Sequence, residues 1–493
     1  MLSLLVGHSY FLRLDHKQWQ RAKPYPPLAT LQVAARLRAL GHEVHLFDAM
    51  LADGVGEYER QLRRIRPQAV VLYEDNYNFL TKMCLARMRE AACSMIGAAR
   101  RADARVIVGG PDATDVPQPY LAAGADAVLA GEGIEALETM LRRLDARPGI
   151  GKTELVQDVA GLAAGARDDG AARPARMHIP PARGELPSPA WDLIDVERYR
   201  AVWHRAHQHF SLNMAASRGC SFRCAWCAKP IWGNQYLQRP AVEVAAEMTH
   251  IKRNLGADHI WFADDIFGFR VDWVSDFAAA LAASGGSIPF TIQTRADLIS
   301  ERMASALRAA GCREAWLGAE SGSQRVLDAM NKGIRVEEIH TARQRLQAAG
   351  IRVGFFIQLG YLGEELSDIL ATRGLIESAR PDDVGVSVAY PLPGTKFHDL
   401  VSAQLGPKTR WQASGDLAMM FQGTYTSPFY RTVRDLLHEE VRISSGEGTG
   451  AAGERARRSL RRRWDRLLLW QESFRNPTPG ASADTASAAP GFS

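Results

Sequence analysis

The stretch Ser217–Arg218–Gly219–Cys220–Ser221–Phe222–Arg223–Cys224–Ala225–Trp226–Cys227 spaces three cysteines as C-x3-C-x2-C. Thiolates are soft donors that select Fe–S clusters or zinc over hard cations. Three of them this close can hold three irons of one 4Fe–4S cluster, which leaves the fourth iron open to an exogenous ligand. A zinc site asks for a fourth ligand. Cys84, Cys93 and Cys312 are remote in sequence, and no histidine stands beside Cys227. A disulfide framework does not suit six cysteines spread over 493 residues.

The chain has room for two or three domains with large cores, since 46% of its 493 residues are apolar. No apolar run reaches the ~18 residues of a membrane-spanning helix, so none is expected. Met1–Val6 reads as a first strand rather than a signal sequence. The net charge of +5 is thinly spread and does not argue for nucleic acid. An oxygen-sensitive cluster and reduced thiols point to the cytoplasm.

Upstream of the cysteines, short apolar strands alternate with amphipathic helices. Strands are expected at Leu2–Val6, Val44–Phe47, Ala69–Tyr73, Arg105–Val108 and Ala125–Ala130, with helices at Leu28–Leu40, Leu85–Arg101 and Glu135–Leu144. That alternation implies an open parallel sheet, whose ligands sit at the carboxyl ends of its strands. Gly109–Gly110 and Gly131–Glu132–Gly133 fall there. Residues 146–200 read as a linker with one hairpin. From 211 to 395 six more strands are expected: Leu212–Ala216, His259–Phe262, Phe290–Thr294, Glu314–Leu317, Val353–Leu359 and Val384–Ala389. Six β/α units suggest a partial barrel with its active residues at the carboxyl strand ends. The fold class is α/β: an N-terminal doubly wound, Rossmann-like parallel sheet (1–145), a linker (146–200), a partial (β/α)6 barrel (201–400), a helical C-terminal extension (401–476) and a disordered tail (477–493).

Five more segments stand at barrel strand ends: Asp264–Asp265, Gln293 with Arg295, Glu320–Ser321–Gly322–Ser323, Gly360–Tyr361–Leu362–Gly363–Glu364, and Pro391–Leu392–Pro393–Gly394–Thr395. A zwitterionic, ribose-bearing cosubstrate needs carboxylates for its ammonium and hydroxyls and a cation for its carboxylate. An acidic pair at a strand end is by itself more often solvated or a helix cap. The order of these segments behind the cysteines gives them weight.

From about Leu2 to Lys396 the chain resembles the cobalamin-binding-domain branch of the radical S-adenosylmethionine (SAM) enzymes, which includes anaerobic magnesium-protoporphyrin monomethyl ester cyclase and C-methyltransferases. The resemblance rests on the cysteine segment and on Pro27–Leu28, Gly41–His42–Glu43–Val44, Asp48, Gly109–Gly110–Pro111 and Gly131–Glu132–Gly133. In the barrel it rests on Gly318–Ala319–Glu320–Ser321–Gly322–Ser323, Met330–Asn331–Lys332–Gly333 and Pro393–Gly394–Thr395. It implies a 4Fe–4S cluster on Cys220, Cys224 and Cys227, SAM, and cobalamin on the N-terminal domain. It also implies a small-molecule substrate and an external electron donor of flavodoxin or ferredoxin type. Asp264 or Asp265 would meet the methionyl amino group, Glu320 the ribose or methionyl part, and Gly360 would back the adenine. The fifth-strand turn departs from the branch's G-x-P-G-E-T, with Leu362 for proline and Glu365 for threonine. The cobalt-ligating D-x-H-x-x-G is absent, and the adjacent Asp15–His16 is not that pattern. The lower face of a corrin is therefore expected against non-ligating side chains, with Tyr73 to Phe79, including Asn76, as the candidate loop.

Other signals carry less. Ala146 to Thr153 satisfies a relaxed P-loop pattern but follows a helix, where the mechanism needs a strand. His207 and His209 can face one side of an extended segment; partly exposed or substrate-facing histidines are the plainer reading. Cys84 and Cys93 are expected as packed helix thiols, and Cys312 in a helix-to-strand turn. Arg455–Arg466 is strongly basic with apolar residues interleaved. It can contact an anionic membrane surface, or be a solvated helix packed on the barrel. Carbon methylation is the first expectation for the reaction. Oxidative cyclisation, a radical SAM enzyme without cobalamin, and a non-catalytic cofactor-sensing protein stay open.

Overall fold

The computed structural model describes residues 1–77, 86–166, 172–174, 187–227, 235–405, 418–447 and 450–477. Asn78, Phe79, Cys84 and the expected tail beyond Pro477 lie outside them.

Five-residue apolar runs make the first sheet. β1 (Ser3–Gly7), β2 (Glu43–Phe47), β3 (Ala69–Tyr73), β4 (Arg105–Gly109) and β5 (Ala127–Leu129) are parallel and lie in the order β2-β1-β3-β4-β5. Side chains alternate between faces. Leu4, Val6, Val71 and Ile107 pack under α1 (Leu28–Ala39), and Leu5, Val70, Leu72 and Val106 pack on α2 (Val55–Ile65) and α3 (Ala86–Arg101). α4 (Ile134–Ala146) returns to the first face through Leu137, Met140 and Leu141. The sheet is doubly wound, and its order reverses beside β1, which opens a crevice between β1 and β3. α2 has no counterpart in the sequence reading, because it buries only Tyr58 and Leu62 and shows too narrow an apolar stripe.

The hairpin expected in 146–200 is β6 (Leu162–Ala166) with β7 (Ala172–Pro174), which extends the first sheet by two antiparallel strands beyond β5. The sheet is thus parallel except at that edge. The P-loop-like segment joins α4 to a five-residue helix, Lys152–Val156, with no strand before it. α5 (Val196–His207) places His204 and His207 on a helix, so the extended histidine pair does not exist. His207 Nε2 lies 3.0 Å from the Arg21 carbonyl, and Trp203 donates to the Pro24 carbonyl at 2.7 Å. These groups tie α5 to the segment before α1.

In the barrel, β8 (Ser211–Met214), β11 (His259–Phe262), β12 (Phe290–Thr294), β13 (Cys312–Glu320), β14 (Arg352–Leu359) and β15 (Asp383–Val388) pair in sequence order, all parallel. A short ribbon of β9 (Ser217–Gly219) and β10 (Tyr236–Gln238) leaves the end of β8. Helices α6 (Ala241–His250), α7 (Val271–Ser284), α8 (Glu301–Ala310), α9 (Val336–Ala348) and α10 (Leu366–Ala379) cover the outer face. Leu212, Ile260, Ile292, Leu317 and Phe355 form the core beneath them. Cys312 opens β13 fully buried, in the strand and not in a turn. β13 bulges between Gly318 and Glu320, and Glu320 takes φ +62°.

α11 (Ser427–Arg442) packs on β15 and α10, and α12 (Gly450–Trp470) packs on α11. Leu460, Trp464 and Leu467 are the buried side of α12, and the arginines of 455–466 face solvent. No described helix is long and apolar enough to cross a membrane.

Candidate active site

The cysteine loop leaves β9 and is held from outside itself. Ala225 donates its amide to the Met330 carbonyl at 2.7 Å and accepts from the Phe397 amide at 2.9 Å. Asn331 Nδ2 donates to the Arg223 carbonyl at 2.8 Å. Cys220, Cys224 and Cys227 are half-buried thiols, none of them in a disulfide. Arg295 is spent on this loop: it pairs with both Asp297 oxygens at 3.0 Å and donates to the Lys332 carbonyl at 2.9 Å. Its guanidinium also lies 3.6 Å over the Phe222 ring and 3.9 Å from Cys224 Sγ.

Asp264, after β11, braces the β8–β9 connection by accepting from the Ala216 amide at 3.0 Å and from the Ser217 hydroxyl. Burial pushes its carboxyl up to about 7 against those hydrogen bonds. Asp265 beside it is only half-buried. Glu320, at the end of β13, accepts from Lys332 Nζ at 2.9 Å, both side chains being 7% exposed. Ser321 turns away to Thr372 on α10, 3.1 Å between hydroxyls. Gly360, after β14, donates its amide to Glu364. A Cβ there would stand 3.0 Å from Met419 and 3.1 Å from Tyr430, so that side of the turn is covered. Gln293 lies half-buried on the concave face of the barrel.

The carboxyl edge of the first sheet gathers the other expected residues. Tyr73 ends β3 and donates to the Glu132 carbonyl at 2.9 Å; Asn76 Nδ2 donates to Tyr73 Oη at 3.3 Å. Asn76 Oδ1 is buried with no hydrogen-bond partner among the described residues. Gly109 ends β4 and Gly110 starts the next turn, while Gly131, Glu132 and Gly133 lead from β5 into α4. Gly133 takes φ +56°, and a Cβ there would sit 2.6 Å from Leu129 Cβ. The Glu132 carboxylate lies 3.1 Å from Arg218 Nε, inside the cysteine segment. Burial raises Glu132 to about 7 against that guanidinium. Burial likewise raises the Tyr77 phenol, which feels Arg218, Glu132, Asp264 and Arg239. The carboxyl edges of the two sheets therefore face each other across Glu132, Tyr77 and Arg218.

The B12 binding domain family matches residues 20–141, and the Radical SAM superfamily matches residues 214–376. The chain carries a B12-binding domain followed by a radical SAM domain. An uncharacterized methyltransferase of Pyrococcus horikoshii is 25% identical over 385 residues, covering 77% of this chain and 79% of that protein. The anaerobic magnesium-protoporphyrin IX monomethyl ester cyclase of Rubrivivax gelatinosus is 23% identical over 390 residues, covering 78% and 67%. The fold of the radical SAM methyltransferase TsrM from Kitasatospora setae, solved with cobalamin and a [4Fe–4S] cluster, matches with a TM-score of 0.64 at 17% identity over 81% of this chain and 74% of that one.

A radical SAM domain and a B12-binding domain imply a 4Fe–4S cluster, SAM and cobalamin, and the residues of this chain fit them. Among the described residues no three cysteine, histidine or acidic side chains converge tightly enough to cage a single metal ion. A four-iron cluster does not ask for that, because each thiolate takes a different iron. The unpaired Asn76 amide oxygen lies on the edge where a corrin amide would find it. Three groups escaped the sequence reading. Lys332 stands in the sequence as part of a matched segment, and its pairing with Glu320, twelve residues earlier, emerges only in the fold. His8, directly after β1, is fully buried with Nε2 3.0 Å from Asp48 Oδ1 and 3.1 Å from the Ala49 amide. Asp48 also accepts from Tyr199 of α5 at 2.6 Å. A lone histidine after a strand gives no such indication, because its partners Asp48 and Ala49 are 40 and 41 residues along, and Tyr199, which holds Asp48, is a further 151 beyond Asp48.

Proposed function

We propose that this enzyme transfers a methyl group to an unactivated carbon of a small molecule. The observation that carries the reading is the Glu132–Arg218 contact, which sets the B12-binding edge against the cysteine loop. When bound, the cluster and SAM supply a carbon-centred radical and cobalamin supplies a methyl group. In this reading Cys220, Cys224 and Cys227 are the cluster ligands, held in shape by Met330, Asn331 and Phe397. Asp265 receives the methionyl ammonium, since Asp264 is committed to Ala216 and Ser217. Glu320 takes the ribose or methionyl part while Lys332 holds it in place at 2.9 Å, and the Gly360 edge meets the adenine. Tyr73, Asn76, Gly109, Gly110, Gly131, Glu132 and Gly133 line the corrin. The corrin domain is residues 1–145 with the later hairpin as its edge, the barrel 201–400, and the helical extension 401–476. An acidic flavodoxin- or ferredoxin-type donor in the cytoplasm would reduce the cluster.

Turnover by the reconstituted enzyme tests this. Methyl transfer gives S-adenosylhomocysteine and 5′-deoxyadenosine together, in near-equal amounts, with a product heavier by one methylene. The similarity to the cyclase favours a second reading, oxidation or ring closure. It gives 5′-deoxyadenosine alone and a substrate that loses hydrogen or gains oxygen. Alanine at Cys220, Cys224 or Cys227 is expected to lower the iron content after anaerobic reconstitution and to abolish SAM cleavage. A full iron complement in those variants would remove the ligand assignment.

A further inference from the structure

Alternate side chains of the barrel strands turn away from the covering helices onto the concave face. Its lower end is polar and ionisable. His259 bridges Ser211 and Thr291 through its two ring nitrogens, each at 2.9 Å, and Tyr25 reaches Ser211 at 3.2 Å with Glu314 nearby. Its upper end carries Glu320 and Lys332. Between these ends, among the described residues, the strands themselves present only uncharged side chains, and the Lys332–Glu320 pair reaches down to Gly318, the register partner of Phe356. Strand register aligns Asn213 with Trp261, Gln293 with Trp316, and Gln358 with Ser387.

Two features make this band a built surface. Trp316 is held by close packing: its ring lies over Gly354, where a Cβ would be 2.5 Å away. Phe356 stacks on it with centroids 4.9 Å apart and planes 27° apart. Gly385 leaves room for both rings, since a Cβ there would stand 3.2 Å from Phe356 and 3.3 Å from Trp316. The second feature is a pair of amide oxygens, Asn213 Oδ1 and Gln358 Oε1, each buried without a hydrogen-bond partner among the described residues. A buried acceptor left unpaired costs about 1–3 kcal/mol, which a ligand donor recovers.

We propose that this band binds a planar, uncharged part of the substrate, an aromatic or conjugated ring that lies against Phe356 and donates an N–H or O–H to Gln358. It deepens the reading of the chain as a radical SAM enzyme acting on a small molecule and rests on that reading. The ammonium nearest Phe356, Lys332 Nζ over Gly318, is already paired with Glu320 at 2.9 Å, so a carboxylate or phosphate inside the band would lose its water without an uncommitted cation from the described strands. Anionic groups of the substrate therefore stay outside it.

Equilibrium dialysis of the full-length, anaerobically reconstituted enzyme tests this with three probes: 2-quinolone, 1-methyl-2-quinolone and 2-quinolone-4-carboxylate. The N–H lactam is expected to bind about three- to tenfold tighter than its N-methyl form, the worth of one hydrogen bond. The carboxylate should bind most weakly. Gln358→Leu should bring the lactam down to the N-methyl level and leave N-methyl binding unchanged, which also shows that the variant is folded. Phe356→Ala should weaken both neutral probes. Equal binding of the lactam and its N-methyl form by the unaltered enzyme, strongest binding by the carboxylate, or an unchanged lactam preference in Gln358→Leu overturns the proposal. SAM cleavage by the same preparations reports separately on the radical SAM reading, so the two can fail independently.

Discussion

Glu364 is fully buried after β14 and accepts the Gly360 amide. Burial raises its carboxyl from the ordinary 4.5 to about 8, against the pull of that amide. A folded-state value above the unfolded one means that the group's contribution to stability is complete below about 4.5 and is lost as pH rises through about 8. Glu364→Gln keeps an acceptor and cannot ionise. Denaturant unfolding should show the difference between wild type and Glu364→Gln shifting in favour of the variant as pH rises from about 4.5 to about 8, and level above that. Parallel pH profiles would show that the buried carboxyl does not titrate there. Lys332 and Glu320 make a different kind of pair, in which both partners are charged and nearly buried. Removing one leaves the other uncompensated, so Lys332→Met should cost about 3–5 kcal/mol in unfolding free energy. Adding Glu320→Gln should restore most of it. A double variant no more stable than Lys332→Met would mean that the loss comes from packing.

At the scale of elements, the G-S-G-S turn after β13 is a packing device as well as a motif. A Cβ on Gly322 would stand 2.3 Å from the Ala371 carbonyl on α10. Gly322→Ala must push strand end and helix apart, at an expected cost of about 1–3 kcal/mol. Gly374 on the same helix has nothing within 4 Å of its would-be Cβ. Gly374→Ala should therefore stabilise, by about 0.5–1 kcal/mol, through helix propensity alone. Thermal melts of the two variants should move in opposite directions. α12 shows the same split between its two sides. Trp464 is 1% exposed beneath Arg373, so Trp464→Ala should cost about 3–5 kcal/mol. Arg457→Gln and Arg461→Gln, on the solvent side, should stay within about 0.5 kcal/mol of wild type.

At the scale of the molecule, function depends on two carboxyl edges facing each other. Glu132 follows β5 of the first sheet and Arg218 belongs to the ribbon that carries the cysteine loop. Glu132→Ala removes that contact and alters the edge on which a corrin would lie. After anaerobic gel filtration the variant should retain less cobalamin than wild type while its iron content stays the same. Loss of iron with cobalamin intact would place Glu132 in support of the cluster loop and detach it from the corrin edge.

The sequence alone determined the strand–helix alternation, the open six-stranded barrel and the cysteine loop at the end of its first strand, because each rests on contacts or spacings within a few residues. Apolar runs of five, C-x3-C-x2-C and glycine turns are local signals. The commitments of the polar residues were decided by the tertiary structure. Asp264 reads as a ligand until Ala216 and Ser217, 48 and 47 residues earlier, claim its carboxyl. Arg295 reads as a free cation until Asp297 and the Lys332 carbonyl take its hydrogen bonds. The His8–Asp48–Tyr199 chain, the Trp316 shelf over Gly354 and the approach of Glu132 to Arg218 join residues on different strands or different sheets. Strand pairing and the packing of the two sheets bring them together, and burial then fixes which charges each can keep.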